Sequence, residues 1–180
     1  MSDVFATKCA VLGPQLMRDL RLADFQAAGL LGNLGHESGG FIHLQEIGHS
    51  SGRGGAGVAM WTGPRRRSFE AWCAQHGVSA ASDAGNYGFL LHELKGAYAS
   101  SVTSLQHAAT LYAATRSFCQ TYERPGIVAM SSRLAYARRA LAVLHPGHPA
   151  SVAPPPRRST RVVHTAPKKT RARLHDRHRP

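Results

Sequence analysis

The chain offers few side chains for acid–base chemistry, because only ten of its 180 residues are acidic. One of them, Glu37, stands at the predicted C-terminal end of a helix, directly before a glycine-rich segment. Unpaired carbonyl groups at a helix C-terminus disfavour a negative charge and so raise a carboxyl pKa. A carboxyl that keeps its proton near neutral pH is suited to general-acid catalysis. The alternative is a structural glutamate that caps its own helix or pairs with His36 or an arginine.

The spacing of apolar residues predicts a mainly α-helical body that would hold Glu37 in place. The helix that ends near Glu37 is predicted from Phe25 to His36, with Asp24 as its N-cap. The segment before it, 6–20, is interrupted by Gly13-Pro14 and is predicted as two short helices or one kinked helix. Further helices are predicted at 64–77, 86–100, 104–115 and 130–144, the last with Leu134, Ala137 and Leu141 on one face.

Three glycines recur at every third position of the predicted second helix, Gly29, Gly32 and Gly35. Glycine costs a helix roughly 1 kcal/mol relative to alanine. Three glycines at this spacing therefore indicate a neighbouring element packed close to the helix backbone.

The segment that follows Glu37 has the composition of a loop. Residues 41–63 are rich in glycine and turn-forming residues, with SSGRGGAG at 50–57. Such a segment cannot hold a helix, and it predicts a loop or a small β-hairpin. It is therefore expected to form one lip of a cleft next to Glu37.

The cysteines and histidines do not suggest a metal site or a disulfide framework. Cys9, Cys73 and Cys119 are odd in number and widely spaced, which favours reduced, buried thiols. His36, His43 and His49 lie close together in sequence but lack a metal-binding spacing such as His-Glu-x-x-His. We expect neither a metal nor another cofactor.

Charge divides the chain into two parts. The net charge is +12, and residues 151–180 hold nine basic residues against Asp176 alone. This part is also rich in proline and poor in aliphatic residues, so it cannot bury enough apolar surface to order itself. We therefore predict one folded domain at 1–146, which would carry Glu37, and a disordered basic tail at 147–180. The tail is expected to bind an anionic surface electrostatically and no specific nucleic acid.

The remaining composition limits where the protein acts. A content of 43% hydrophobic residues suffices for one core, and no window is apolar enough to cross a membrane. The first residues lack the apolar stretch and cleavage site of a secretory signal, so we expect synthesis in the cytoplasm.

Three ordered motifs resemble the phage tail lysozymes and related phage endolysins. They are LGNLGHESGG at 31–40, GAGVAMWTGPRR at 55–66 and FCQTYERP at 118–125, and the resemblance covers about residues 22–142. It implies a lysozyme-like helical fold that cleaves β-1,4 bonds between N-acetylmuramic acid and N-acetylglucosamine in peptidoglycan, with Glu37 as the acid. It also implies lysis of a bacterial host after release through a holin-type pore. Met60 departs from the glutamine expected in relatives, which puts the subsite preference in doubt.

A glycosidase usually needs a second carboxylate, as nucleophile or as base for water. Glu46, nine residues after Glu37 on the loop, is the main candidate, with a solvated loop glutamate as the alternative. Glu123 is the rival, although an ion pair or a role in the cleft wall fits it better. If Glu46 is dispensable, the leading hypothesis becomes a lytic transglycosylase, which forms 1,6-anhydro ends.

Substrate contacts are expected within the three motifs. Aromatic rings stack on sugar faces, which suggests Trp61 and Tyr122 as binding platforms. The resemblance adds Ser38, Met60 and Thr62 beside them. We expect a monomer. The opposing hypothesis is a virion structural or nucleic-acid-binding protein with an inactive lysozyme-like domain.

Overall fold

Helices dominate the part of the chain that the computed structural model describes, residues 3–49 and 53–145. In these residues there are seven α-helices, one π-helical turn and no β-strand. The helices are α1 (Val4–Asp19), α2 (Asp24–Glu37), α3 (Gly63–Gln75), α4 (Asp83–Lys95), α5 (Ala99–Gln106), α6 (Leu111–Phe118) and α7 (Met130–Leu144), and the π-helical turn (Cys119–Glu123) continues α6. The predicted mainly α fold is confirmed, whereas the predicted tail, 147–180, lies outside the described residues.

Several helix ends differ from the sequence prediction for local reasons. Pro14 lies inside α1 without ending it, so the first segment is one helix. Ala23, not Asp24, is the N-cap of α2, and its amide donates to Gln26 Oε1 at 2.9 Å. The two helices predicted at 86–100 and 104–115 were wrong, because three shorter helices occupy this region. Gly96 ends α4, and the Thr110 side chain caps α6 by accepting from the Ala113 amide.

The helix that ends at Glu37 lies at the centre of the fold. Every residue of α2 from Gln26 to Gly35 is buried, so helices surround it on all sides. The three glycines meet three different neighbours. Gly29 faces the backbone at Thr115, Gly32 faces Ala137 of α7, and Gly35 faces the Phe5 ring. The close packing predicted from their spacing is confirmed.

Replacing Gly32 with alanine should destabilise this centre. A methyl group there would lie 2.6 Å from the Ala137 amide nitrogen and 2.7 Å from its Cα, which are backbone atoms. Overpacking against backbone outweighs the roughly 1 kcal/mol that alanine gains in a helix, so we expect a net loss of about 1–3 kcal/mol. Urea unfolding measures this, with Gly126→Ala as the control because a methyl there meets nothing within 4 Å. Equal midpoints for Gly32→Ala and wild type would show that α2 and α7 are not closely packed.

The segment between α2 and α3 is a loop in the described residues, as predicted. It is held by two isolated antiparallel bridges, Gln45 with Ala56 and Ala56 with Trp61. The Gly57 amide also donates to the Leu44 carbonyl at 2.9 Å. These contacts bring residues 44–49 and 53–61 together and leave them beside the end of α2.

The cysteines are buried and free, as expected. Burial raises the pKa of the Cys9 thiol to about 12, so it is a poor nucleophile near neutral pH. None of the helices in residues 3–49 and 53–145 combines the length and apolar character needed to span a bilayer.

Candidate active site

A cleft of about 530 Å³ opens where the end of α2 meets the loop. Four of the residues predicted from sequence line it: Glu37, Glu46, Met60 and Thr62. The other polar side chains in its wall are those of His36, His43 and Gln45. The volume lies within the range that small-molecule sites occupy in proteins. The cleft therefore combines two carboxylates with enough room for a small-molecule ligand.

Glu37 is the last residue of α2, and an arginine from α7 holds it. Arg133 Nη2 donates to Glu37 Oε1 at 2.5 Å. The Glu37 side chain remains 21% exposed, and it lines the cleft. The carboxyl is thus fixed on one side by a buried donor and open to a ligand on the other. Glu37 does pair with an arginine, as the structural alternative expected, but this ion pair leaves its carboxyl accessible from the cleft.

Arg133 is a residue of this site that the sequence analysis missed. Its side chain is 1% exposed, and its other two nitrogens are also satisfied. Nε donates to the Val128 carbonyl at 2.9 Å, and Nη1 donates to Asn33 Oδ1 at 3.1 Å. Asn33 is in turn fixed by donating to the carbonyls of Gly29 and Thr115. A guanidinium with a partner for each of its three nitrogens can be buried, and this one aligns the carboxyl of Glu37.

The register of α7 explains why Arg133 was missed. The predicted face was Leu134, Ala137 and Leu141, but the buried residues are Arg133, Ala137 and Ala140. The buried face is therefore rotated by about one residue. An arginine in line with two alanines at helical spacing was the available signal.

Ser38 lies beside Glu37 but serves the backbone. It is buried, its Oγ donates to the Leu34 carbonyl at 2.7 Å, and it accepts from the Phe41 amide at 2.9 Å. Gly39 and Gly40 follow with φ of +58° and +78°. These left-handed residues turn the chain away, so α2 ends with Glu37 at the cleft. The structure does not bring the predicted Ser38 contact to the cleft surface.

Trp61 and Tyr122 lie behind the cleft, not in it. Each is 1% exposed. Trp61 Nε1 donates to Glu93 Oε2 at 2.8 Å, and the Tyr122 hydroxyl donates to the same oxygen at 2.6 Å. Arg65 donates to both oxygens of Glu93. Neither ring has a face open to a sugar in this structure, so both belong to a buried network that supports the wall.

Glu46 enters the cleft from the loop. Its side chain is 44% exposed, and Oε2 accepts from the Gly55 amide at 2.6 Å. His49 Nε2 lies 3.6 Å from Oε1. One oxygen therefore fastens the loop, while the carboxylate as a whole stays accessible. Its role as the second carboxylate remains a prediction.

The surroundings shift the pKa values of two further side chains whose charges interact with Glu37, those of His36 and Glu123. Burial lowers the pKa of His36, as does the positive charge of Arg133, although Glu37 opposes this. Its Nδ1 lies 2.9 Å from Ser132 Oγ. Burial raises the pKa of Glu123 to about 8, and the charge of Glu37 adds to the effect.

No three His, Cys, Asp or Glu side chains within residues 3–49 and 53–145 are grouped to hold a metal ion.

A match to a known protein family includes all the residues of the candidate active site. A family model described as phage tail lysozyme matches residues 16–144. The matched range includes the cleft residues and Arg133. No curated protein and no solved structure matches the chain. Because the family match spans well over half of the chain, the protein belongs to the phage tail lysozyme family.

Proposed function

We propose that this protein hydrolyses the β-1,4 bonds between N-acetylmuramic acid and N-acetylglucosamine in peptidoglycan, with Glu37 as general acid. Membership of the family supports a lysozyme-like peptidoglycan hydrolase in general. The observation that carries the specific proposal is the accessible Glu37 carboxyl in the cleft, aligned by the buried Arg133.

In the proposed reaction, Glu37 gives its proton to the glycosidic oxygen as the bond to the anomeric carbon breaks. The positive charge that develops on the sugar is met by a second carboxylate. Glu46 is the candidate because it lines the same cleft and comes from the loop. As a base, it would take a proton from the water that attacks the anomeric carbon. Met60 and Thr62 line the cleft where they would contact the flanking sugars.

The wider role that we propose is lysis of a bacterial host by an endolysin-type monomer. The enzyme would reach the wall through a holin-type pore. The nine basic residues of 151–180 support binding to an anionic envelope surface such as lipopolysaccharide or anionic lipid. This part of the proposal rests on the sequence alone.

A second candidate is lytic transglycosylation, and one contact favours it. Glu46 Oε2 already accepts from the Gly55 amide, so this carboxylate is partly committed to holding the loop. A transglycosylase needs one acid/base and no carboxylate that activates water. Its product ends in a 1,6-anhydro sugar, whereas hydrolysis leaves a reducing end.

Glu46→Gln separates the two reactions. Glutamine can still accept from the Gly55 amide, so the loop should keep its shape. If Glu46 activates water, kcat should fall by about 10²-fold or more. Wild-type digestion of purified glycan strands in ¹⁸O-labelled water should then give labelled reducing ends by mass spectrometry.

Glu70→Gln is the matched control, because Glu70 is exposed and pairs with Arg66. It should leave the rate unchanged. Full activity of Glu46→Gln together with unlabelled anhydro ends would replace hydrolysis with transglycosylation.

A further inference from the structure

A groove separate from the cleft lies where α3 and α4 pack together. It has a volume of about 440 Å³, and none of its lining residues lines the cleft: Trp72, His76, Gly88, Leu91, His92, Lys95 and Gly96. Aromatic rings lie between the two sites, because the Phe89 ring is 4.9 Å from Trp61 behind the cleft and 6.3 Å from Trp72 between centroids. We call it the α3–α4 groove, and the proposed reaction does not use it.

The apolar part of the α3–α4 groove consists of Trp72 and Leu91, which pack against the hydrophobic core and remain partly exposed. A methyl group at Gly88 would collide with the Trp72 ring, so glycine is what lets this ring lie against α4. Glycine inside a helix costs roughly 1 kcal/mol relative to alanine. The place of the Trp72 ring is therefore set by a residue that the helix alone does not favour.

His76 is exposed, yet two contacts hold its ring in place. The ring stacks on Trp72 with centroids 3.9 Å apart and an angle of 19° between the planes. Its Nδ1 donates to the Trp72 carbonyl at 2.8 Å, since a carbonyl can only accept. In the neutral ring, Nε2 is therefore left to accept from a ligand hydroxyl. A surface side chain that is already ordered loses little rotamer freedom when a ligand binds.

The charge in the α3–α4 groove has one sign. His92 and Lys95 are exposed in the last turn of α4, and no acidic side chain among the described residues lines the groove. The charge of Lys95 acts on Asp19, but Asp19 already pairs with Arg18. The groove therefore favours an anionic ligand. Residues 151–180 carry positive charge as well, so charge argues against them as the occupant.

We propose that the α3–α4 groove is a non-catalytic site that binds N-acetylmuramic acid units of a peptidoglycan strand. This sugar has an apolar face suited to Trp72 and Leu91, hydroxyls that can donate to His76 Nε2, and a lactyl carboxylate that can accept from Lys95. The choice of this glycan rests on the proposed function. A strand held by the groove and the cleft at once is bound at two places by one protein, which strengthens binding without a new contact at the reacting bond.

Co-sedimentation with purified insoluble peptidoglycan tests the proposal without relying on activity. Glu37→Gln is the background, so that strands are not cut during the measurement. The groove variant adds His92→Gln and Lys95→Gln, and both side chains are exposed, so the fold should be kept. We expect its dissociation constant to rise about 3–10-fold at low salt, the usual effect of losing two exposed polar contacts.

Arg138→Gln in the same background is the matched control, because Arg138 is exposed on α7 and the change also removes a positive charge. It should leave the affinity unchanged. Urea unfolding of each variant checks that the groove variant is folded. An affinity of the groove variant equal to that of the background would overturn the groove as a binding site.

Trp72 fluorescence identifies the sugar that the groove recognises. Trp61, the other tryptophan, is buried, so an emission change that disappears in Trp72→Phe reports the groove. Peptide-free glycan strands, which keep a lactyl carboxylate on each muramic acid, should give this change. Chitin oligosaccharides lack the carboxylate and should bind at least about threefold more weakly. Equal affinities, or a change that persists in Trp72→Phe, would overturn the assignment.

Rates on strands of different length separate the groove from a merely structural role. With Glu37 restored, the two groove substitutions should reduce kcat/KM about 3–10-fold more on long strands than on fragments that fill the cleft alone. The loss should appear in KM, because the groove does not touch the reacting bond. An equal loss on long strands and short fragments would contradict the proposal, since damage to the cleft would affect both alike.

These outcomes distinguish the groove from the proposed function. If the wild type cuts glycan and the groove variant binds and cuts as well as its background, only the groove fails. If the wild type cuts no glycan but the groove substitutions still weaken its binding to peptidoglycan, the proposed function fails and the groove remains.

Discussion

Replacing Glu37 with glutamine should reduce kcat/KM on purified glycan strands by about 10²–10⁴-fold, the usual contribution of a positioned general acid. The physical reason is the loss of the proton donor at the only carboxyl in the cleft that a buried arginine aligns, among the described residues. The amide oxygen of glutamine can still accept from Arg133, so the substitution changes chemistry more than packing. The large effect should therefore appear in kcat, with KM close to that of the wild type.

The measurement is a steady-state rate on strands freed of stem peptides, together with circular dichroism and thermal unfolding of each variant. Glu70→Gln again provides the control for a glutamate-to-glutamine change outside the cleft. If Glu37→Gln retained more than about a tenth of the wild-type rate, general-acid catalysis by this residue would be ruled out.

Arg133→Lys should lower kcat by about 10–100-fold, because a misplaced catalytic group loses rate steeply. The guanidinium of Arg133 reaches three acceptors at once, on Val128, Asn33 and Glu37. A lysine ammonium keeps the charge but not this planar fork, so it cannot hold all three. Glu37 would keep its chemistry and lose its fixed orientation. Arg133→Met should instead destabilise the fold, since it leaves the buried Asn33 Oδ1 without its donor, which costs about 1–3 kcal/mol.

Kinetics and urea unfolding of the lysine variant separate orientation from folding. Arg139→Lys is the control, because Arg139 lies on the same helix, is exposed and pairs with Asp3. It should match the wild type in both measurements. Wild-type kcat in a folded Arg133→Lys protein would show that Glu37 needs no alignment by the guanidinium fork.

Local patterns predicted the part of this site that depends on neighbouring residues. The glycine spacing of α2 indicated its close packing, and the change to a glycine-rich segment placed the cleft after Glu37. The position of Glu46 on the loop beside the helix end suggested that it lies at the cleft, whereas Met60 and Thr62 were expected there from the resemblance to the family; all three line the cleft.

The features that local patterns could not predict depend on contacts between distant segments. Arg133 is 96 residues from Glu37 in sequence, and only the rotation of α7 shows that it is buried. Trp61 and Tyr122 have the composition of sugar platforms, but a buried carboxylate, Glu93, satisfies their polar edges. A ring buried in this way and an exposed ring have the same local sequence signature.

Product analysis of purified peptidoglycan digested by the wild type and by Glu37→Gln is the most direct single measurement. Mass spectrometry of the released muropeptides identifies each new end. We expect new reducing ends at N-acetylmuramic acid from the wild type and none from the variant. Equal digestion by the two proteins, or products cut at peptide bonds, would contradict glycan hydrolysis with Glu37 as its acid.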